Sequence, residues 1–259
     1  VSATVDGRLE RVTGESLFGI APGGLLALDR DTRTDSGRIG FALNGNRARW
    51  RWSADGAYEL TRVVTGTDRD EAPLEVRDRA RSLNRFGNLA LVATGPLAEL
   101  PAGRSNITVR VSGDTRDLES RTVRPGLVTE RDLSRDRLGA STNIDLPIAR
   151  RNGPLSPIGN LTLNGNAEVE RLSDFGTLWT YGGGVTWSPQ ERMTLIASFT
   201  REEGAPGLEQ LGDPLLETPN TRIFDFVTGQ TALVTAIIGG NPDLIADRRT
   251  VWKLGGTWR

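Results

Sequence analysis

Cysteine and histidine are both absent from this sequence of 259 residues, and methionine occurs only once. Without cysteine there is no disulfide framework and no thiol chemistry. Without histidine there is no His-based triad or general base, and most zinc sites are excluded. These absences remove many catalytic and metal sites. For this chain we expect no enzymatic activity, no catalytic residue, no metal site and no cofactor.

The sequence also lacks a strong net charge and a long apolar run. The formal net charge is -1, so no overall electric field favours nucleic acid as a partner. No stretch of eighteen or more apolar residues is present, which excludes a transmembrane helix. Hydrophobic residues make up only 37% of the chain, a composition that suits strands with one apolar face and one polar face.

Apolar residues do recur at every second position in many segments. In GTLWTYGGGVTWSPQERMTLIASFTRE (176–202), Trp179, Tyr181, Val185 and Trp187 alternate with small or polar residues, and the alternation resumes after a short turn. A period of two residues is typical of β-strands. About ten strands are predicted in this way, at 3–12, 39–52, 58–64, 89–93, 107–111, 138–146, 161–169, 179–187, 193–199 and 251–258.

The connections between these strands differ in length. A change of apolar phase predicts a β-bulge near Gly45–Arg47, and SADGA (53–57) predicts a tight hairpin. Further short connections are predicted at 96–103, 147–159, 173–176 and 188–192. Longer, charged connections are predicted at 13–36, which includes the solvated aspartate-rich LDRDTRTDSG, and at 66–81, 114–134 and 203–247. Short connections mostly at one end and long ones at the other predict an up-and-down meander.

The apolar faces of these strands point either to a protein core or to lipid. The polar faces carry charged residues near mid-strand, namely Arg110, Asp145, Glu168, Glu170 and Lys253. A wet interior accounts for the Glu168–Glu170 pair better than a two-carboxylate hydrolase site does. Aromatic residues lie toward both ends of the apolar faces, with Trp50, Trp52, Trp187 and Trp258 at one end and Trp179 and Tyr181 at the other. Such girdles favour lipid over the alternative, a soluble β-sandwich.

Two segments carry a resemblance to a known family. They are WSPQERMTLIASFTREEGAPGLEQLGDP and IIGGNPDLIADRRTVWKLGGTW, within 187–259. Both resemble TonB-dependent outer-membrane receptors of Gram-negative bacteria. The sequence departs from the family pattern at 245–247, where Pro-Glu is commoner. The matching residues are Ser188, Pro189, Ala205, Pro206, Leu208, Leu211, Gly240, Asn241, Pro242, Asp243 and Leu244.

The resemblance implies an all-β antiparallel meander of about ten strands that is part of a larger transmembrane barrel. Barrels of this family have about 22 strands around a plug domain. The sequence contains no plug-like segment, so residues 1–259 are expected to be a single barrel segment, a fragment of a longer receptor. The implied location is the bacterial outer membrane. The implied partners are outer-membrane lipid, a TonB-type energising protein that acts through the plug, and an unknown small-molecule nutrient.

The motif residues are expected to shape the long extracellular loop, 203–247. Asn241 bonds the local backbone and Pro242 fixes φ, so that Leu244 tucks under the loop. Structural roles are also expected for Ser188, Pro189, Ala205, Pro206 and Leu211. The candidates for ligand contact are Phe224, Phe226 and Asn241.

Two alternatives stay open at this point. The apolar run ALVTAIIGG (232–240) either faces the ligand or pairs with 222–228 as a hairpin. A complete small outer-membrane barrel, acting as an enzyme or adhesin, is the alternative to a receptor segment. Such a barrel pairs residues 4–12 with residues 250–258.

Overall fold

The chain folds into one long antiparallel sheet, and the computed structural model describes residues 1–20, 27–69 and 77–259. Ten strands follow each other in the order β1 to β9 and then β12, and β10 and β11 form a separate hairpin. No helix in the described ranges has the length and apolar character needed to cross a membrane. The predicted meander of ten strands is therefore confirmed. The strands are β1 Ser2–Ile20, β2 Ala27–Arg47, β3 Trp50–Thr67, β4 Asp78–Leu100, β5 Gly103–Arg124, β6 Leu127–Ala149, β7 Asn160–Leu172, β8 Gly176–Ser188, β9 Met193–Gly204, β10 Leu216–Asp225, β11 Gln230–Ile238 and β12 Asp247–Trp258.

The register keeps the apolar faces of neighbouring strands on one side of the sheet. Val109 pairs with Ala93 and Thr142, and Leu163 pairs with Val185. We call this side the outer face and the opposite side, which carries Arg110 and Glu168, the inner face. By register, all six tryptophans and both tyrosines of the sequence lie on the outer face: Trp50, Trp52, Tyr58, Trp179, Tyr181, Trp187, Trp252 and Trp258.

The burial of the two faces is the reverse of that in a soluble sheet. On the outer face Leu254 is 83% exposed and Trp252 is 71% exposed, whereas Asp114 and Arg135 on the inner face are 8% and 7% exposed. No second sheet covers the outer face within the described ranges. The β-sandwich alternative, in which the tryptophan-bearing faces are buried, is therefore wrong. The arrangement is that of a partial β-barrel.

The first six strands are much longer than the periodicity predicted. β4 and β6 have 23 residues each, whereas β8 has 13 and β12 has 12. The predicted long connections at 13–36 and 114–134 are wrong, because the described residues of both are strand except at Pro125 and Gly126. The connection predicted at 66–81 is shorter, from Asp68 to Arg77. Residues 21–26 and 70–76 lie outside the described part of the chain.

Charge pairs between strands accompany these extensions. Arg85 contacts Glu119 at 2.6 Å, Arg121 contacts Glu130 at 3.0 Å, and Arg11 contacts Asp35. Each pair joins two adjacent strands, so the extension keeps backbone pairing after the apolar alternation has ended.

The turn between β2 and β3 also differs from the prediction. Arg47 pairs with Trp50, so Ala48 and Arg49 form a two-residue turn, and Ala48 has a φ of 55°. Neither the bulge near Gly45–Arg47 nor the hairpin at 53–57 is present. A Cβ on Gly56 would lie 2.6 Å from the Phe41 ring, so this glycine of β3 makes room for a ring from the neighbouring strand β2. The other predicted short connections are confirmed, at 101–102, 150–159, 173–175 and 189–192.

The sheet has two open edges. In the described part of the chain β1 pairs only with β2, and β12 pairs only with β9. Residues 4–12 therefore do not pair with residues 250–258, which is the pairing that a complete small barrel needs.

The connection between β9 and β12 has structure of its own. A short helix, α1 (Leu208–Gly212), follows β9, and the hairpin of β10 and β11 follows α1. The apolar run at 232–240 therefore belongs to a hairpin, mostly in β11, as that alternative expects. Its partner is residues 216–223 and not 222–228, because residues 226–229 form the turn. We call residues 205–246 the inner segment, because its contacts lie on the inner face of the sheet.

Candidate functional site

The site begins with a small apolar cluster that fixes the inner segment on the sheet. Leu208 and Leu211 on α1 are 2% and 8% exposed and pack with Leu118 of β5, which is 1% exposed. Leu133 and Phe175 pack against the same cluster. Since polar residues dominate the neighbouring inner face, this cluster defines the position of α1.

Arginines of β6 and a serine of β5 hold the backbone of the inner segment. Arg131 Nη1 donates hydrogen bonds to the carbonyls of Leu211, at 2.8 Å, and Gly240, at 3.2 Å. Ser120 Oγ donates to the Gly212 carbonyl at 2.6 Å. These donors satisfy carbonyls at the end of α1 that have no partner within so short a helix.

Arg135 joins three parts of the structure. Its Nη1 donates to the Pro206 carbonyl at 2.7 Å, and its Nε and Nη2 bind the Asp174 carboxylate at 2.7 to 2.9 Å. The guanidinium also lies 5.1 Å from the centre of the Phe175 ring. This side chain therefore connects β6, the β7–β8 turn and the start of the inner segment.

The hairpin extends the inner segment to the first strands of the sheet. Arg30 Nη2 on β2 donates to the Glu217 carbonyl at 2.6 Å and to Thr218 Oγ1 at 2.9 Å. Arg124 on β5 binds the Glu217 carboxylate, and its Nη2 donates to the Leu215 carbonyl at 3.1 Å. The inner segment thus crosses the inner face from β9 to β2.

The NPDL motif forms a turn with the expected local hydrogen bond. The Asp243 amide donates to Asn241 Oδ1 at 3.0 Å, and the Asn241 amide donates to the Gln210 carbonyl at 2.7 Å. Leu244 keeps 38% of its surface exposed and does not tuck under the loop as expected. The buried anchors are instead Leu208 and Leu211 on α1.

The other motif residues lie at the two ends of β9. Ser188 Oγ contacts Thr194 Oγ1 at 3.0 Å across the turn that contains Pro189. Ala205 and Pro206 follow the last residue of β9, where the Pro206 carbonyl meets Arg135. Their positions place the motif at the entry to β9 and at the start of the inner segment.

The three candidates for ligand contact lie in two places. Phe224 and Phe226 lie at the tip of the hairpin, with ring centres 5.2 Å apart in an edge-on arrangement. They are 50% and 90% exposed. Asn241 lies beside α1, bonded to Gln210. Contact of these residues with a ligand stays a prediction.

A cavity of about 320 Å³ lies between the sheet and the inner segment, and we call it the inner chamber. A second cavity of about 180 Å³ shares Thr61, Asn84 and Glu209 with it. Nothing in the sequence signalled this chamber, because its two walls come from distant parts of the chain. The sheet contributes Thr61, Val63, Thr65, Ala80, Ser82 and Asn84, and the inner segment contributes Glu209, Asp213, Pro214, Leu216, Ile238 and Gly239.

Among the described residues, one group of carboxylates is close enough to hold a metal ion. Oxygens of Glu15, Asp29 and Asp31 lie within 4.8 Å of one another. Arg77 contacts Asp29 at 2.6 Å, Asp31 at 2.7 Å and Asp68 at 2.6 Å. The arginine therefore compensates the charge of this group. Asp29 and Asp31 lie on β2, not in the solvated loop that LDRDTRTDSG predicted.

Comparisons with known proteins find similarity in fold but not in sequence. No protein-family profile matches the sequence, and no curated protein matches it. The fold is similar to the crystal structure of the siderophore receptor PirA from Pseudomonas aeruginosa, at 15% sequence identity and a TM-score of 0.44. The similarity covers 98% of this chain and 50% of that receptor, so the chain spans about half its length. At these values the similarity carries no argument about function.

Gly240→Ala is predicted to loosen the inner segment. A Cβ at this position would lie 2.5 Å from the Gly212 nitrogen and 2.6 Å from the Asp213 nitrogen, both of which are backbone atoms. Because backbone atoms cannot move away from a clash as a side chain can, we expect the docking of the inner segment to lose about 1–3 kcal/mol of stability. Hydrogen exchange of the amides of 208–213 measures this loss. Gly165→Ala is the control, since nothing lies within 4 Å of its Cβ, and equal exchange in the two variants contradicts the prediction.

Proposed function

We propose that this chain is part of an outer-membrane receptor that takes up a small-molecule nutrient with energy from a TonB-type protein. One observation supports this most directly. Outside the charged strand extensions, the exposed outer face is apolar, and it carries every tryptophan, whereas the charged residues that contact the inner segment lie on the inner face. In water such a sheet exposes its apolar side at a large cost in free energy, and in a bilayer that side is solvated by lipid.

The spacing of the aromatic residues fits a bilayer. Trp179 and Trp187 are eight positions apart on β8, which is about 26 Å along a strand. At a tilt of about 40°, this corresponds to a height of about 20 Å, close to the apolar band of outer-membrane barrels. Trp187 and Trp258 lie near the short-turn end of their strands, and Trp179 lies toward the other end.

The inner segment supports a receptor over a simple pore. It places a chamber, an exposed aromatic pair and a network of arginine contacts on the wet side of the sheet. A nutrient that enters from outside the cell meets these elements first. The motif residues around Asn241 resemble the corresponding loop of TonB-dependent receptors. The nutrient is a chelated metal, cobalamin or a glycan, with Phe224, Phe226 and Asn241 as contact candidates and no catalytic step.

Tryptophan fluorescence tests the membrane part of the proposal. In liposomes, phospholipids with brominated acyl chains are expected to quench most of the emission, because all six tryptophans lie on the outer face. Aqueous acrylamide is expected to quench little of it. Variants that retain only Trp179 or only Trp187 are expected to respond to shallow bromines more than to deep ones. Strong quenching by acrylamide together with none by the lipids contradicts the proposal.

Uptake measurements test the transport part. Cells with and without the gene are compared for uptake of a labelled ferric chelate, cobalamin and an oligosaccharide. We expect the deletion strain to lose uptake of one of these compounds. In cells with the gene, we expect an uncoupler to stop uptake of that compound but not its binding to the cell surface. Uptake that is unchanged for all three, or insensitive to the uncoupler, rejects energised transport.

A further inference from the structure

The inner chamber and its adjoining cavity contain more negative than positive charge. Their walls include the carboxylates of Glu59, Glu209 and Asp213 and a single cation, Arg116. Arg116 is already engaged, because its Nε lies 3.4 Å from Asp114 Oδ1 and its guanidinium lies 4.6 Å from the centre of the Phe86 ring. In the described part of the chain, neither Glu209 nor Asp213 forms an ion pair with Arg116.

Glu209 and Asp213 differ from the acidic side chains of the sheet that are paired with arginine. Many acidic side chains near the sheet contact an arginine, as Asp114 contacts Arg137 at 2.5 Å. Within the described ranges, neither Glu209 nor Asp213 forms an ion pair, and the Glu209 carboxylate accepts a hydrogen bond from the Asn84 side-chain amide at 2.5 Å. The two carboxylates are four positions apart across α1, where like charges repel.

The ionised carboxylates of Glu209 and Asp213 lower the stability of the folded state at neutral pH. Burial, and then the charge of Glu209, raise the pKa of the Asp213 carboxyl. A carboxyl whose pKa is higher in the folded state contributes stability at a pH below its unfolded pKa, and that contribution is lost as the pH rises through the folded pKa. At neutral pH the ionised pair therefore weakens the docking of the inner segment. A cation bound beside the two carboxylates offsets their repulsion and strengthens the docking of the inner segment.

The remaining walls select for an organic cation over a bare metal ion. Val63, Ala80, Leu216 and Ile238 supply apolar surface, and the chamber volume of about 320 Å³ suits a small molecule. A metal ion needs several close oxygen ligands. In the described part of the chain, the residues grouped closely enough for that are Glu15, Asp29 and Asp31, which lie outside the chamber.

We propose that the inner chamber binds a small organic cation, an amine or guanidinium attached to an apolar body. Glu209 and Asp213 hold the charged nitrogen, and Leu216 and Ile238 cover the apolar body. The inference rests on the proposed receptor function, because it names the chemical class of the nutrient or of the part of it that is recognised.

Calorimetric titration of the purified protein in detergent tests this proposal with three probes that share a phenyl ring. These are 2-phenylethylamine, which is cationic, 2-phenylethanol, which is neutral, and 3-phenylpropanoate, which is anionic. We expect the amine to bind most tightly. Asp213→Asn and Glu209→Gln are each expected to weaken amine binding at least tenfold and to leave the alcohol unchanged. Asp243→Asn, which removes one charge from the inner segment outside the chamber, is the matched control and keeps full binding.

Several outcomes overturn the proposal. One is that Asp213→Asn and Glu209→Gln bind the amine as tightly as the unchanged protein does. Another is that the anion binds more tightly than the amine. A third is that the amine and the alcohol bind equally well. Titration with calcium alone distinguishes a metal site. Calcium binding that depends on Asp213 and displaces the amine rejects the organic cation in favour of a metal ion.

A pH series and a folding control separate binding from stability. Amine binding is expected to weaken as the pH falls through the raised pKa of Asp213, since the ionised carboxylate is required. Glu209 on α1, Glu59 on β3 and Arg116 on β5 are the other titratable groups of the two cavities, and Asn84 on β4 is uncharged. Asp213→Asn is expected to melt no lower than the unchanged protein at neutral pH. If brominated lipids still quench the tryptophan fluorescence of this protein but the amine does not bind, the proposed ligand class is wrong and the membrane part of the proposed function stands.

Discussion

Val109→Arg is expected to destabilise the protein in a bilayer by about 2–4 kcal/mol, whereas Thr108→Arg, one position earlier, is expected to be tolerated. Val109 lies on the outer face between Ala93 and Thr142 and is 38% exposed. If water covered this face, a substitution at so exposed a site would change stability by no more than about 0.5 kcal/mol. Arginine facing lipid near the bilayer midplane costs about 2–4 kcal/mol.

The depth of Val109 makes this site sensitive. It lies six positions after the start of β5 at Gly103, between the two levels of aromatic residues. Thr108 points to the inner face, where its hydroxyl contacts that of Thr94 at 3.0 Å. Unfolding by urea from liposomes measures the difference between the two arginine variants. Equal unfolding midpoints place the outer face in water and remove the basis of the proposed function.

Arg135→Ala is expected to release the start of the inner segment from the sheet. The substitution removes the bonds to Pro206 and Asp174 and leaves the Asp174 carboxylate without its cation. Loss of one partner of a buried pair costs about 3–5 kcal/mol. The Asp174 side chain keeps 30% of its surface exposed, so solvent reduces the expected loss to about 2–3 kcal/mol.

Hydrogen exchange of the amides in 207–213 measures this release, and Arg121→Ala is the matched control. Arg121 also belongs to the extended part of the sheet, but it contacts Glu130 with side chains that are 58% and 64% exposed. Its loss is expected to cost about 0–1 kcal/mol. Amides that exchange equally fast in both variants contradict the role assigned to Arg135.

Periodicity predicted the ten strands because each has an apolar stretch on one face. It failed where the strands extend past that stretch. Around Asp35 and Glu119 both faces are polar, so no alternation remains, although backbone pairing continues through pairs such as Arg11 with Asp35. The turn at Ala48–Arg49 was missed for a related reason. Gly56 was interpreted as a turn residue, but its role is to leave space for the Phe41 ring.

The candidate site was predictable only in part. The motif residues indicated where the inner segment begins and ends, and the apolar run at 232–240 indicated a hairpin. The inner chamber had no local signature, because Asn84 and Glu209 meet across 125 positions of sequence. The arginines that hold the inner segment lie on strands where alternating charges also suit a solvated surface. Only the folded register brings Arg131 and Arg135 to the same face as α1.

Because the strands differ in length, the end of the sheet at which they extend has an uneven height. β4 exceeds β8 by ten residues, 23 against 13, or about 30 Å of extended chain. The hairpin leaves the low side after β9 and rests against Arg30 and Arg124 on the high side. This edge of the sheet is therefore lowest along β7 to β9, and the hairpin crosses from this low side to the longer strands β2 and β5.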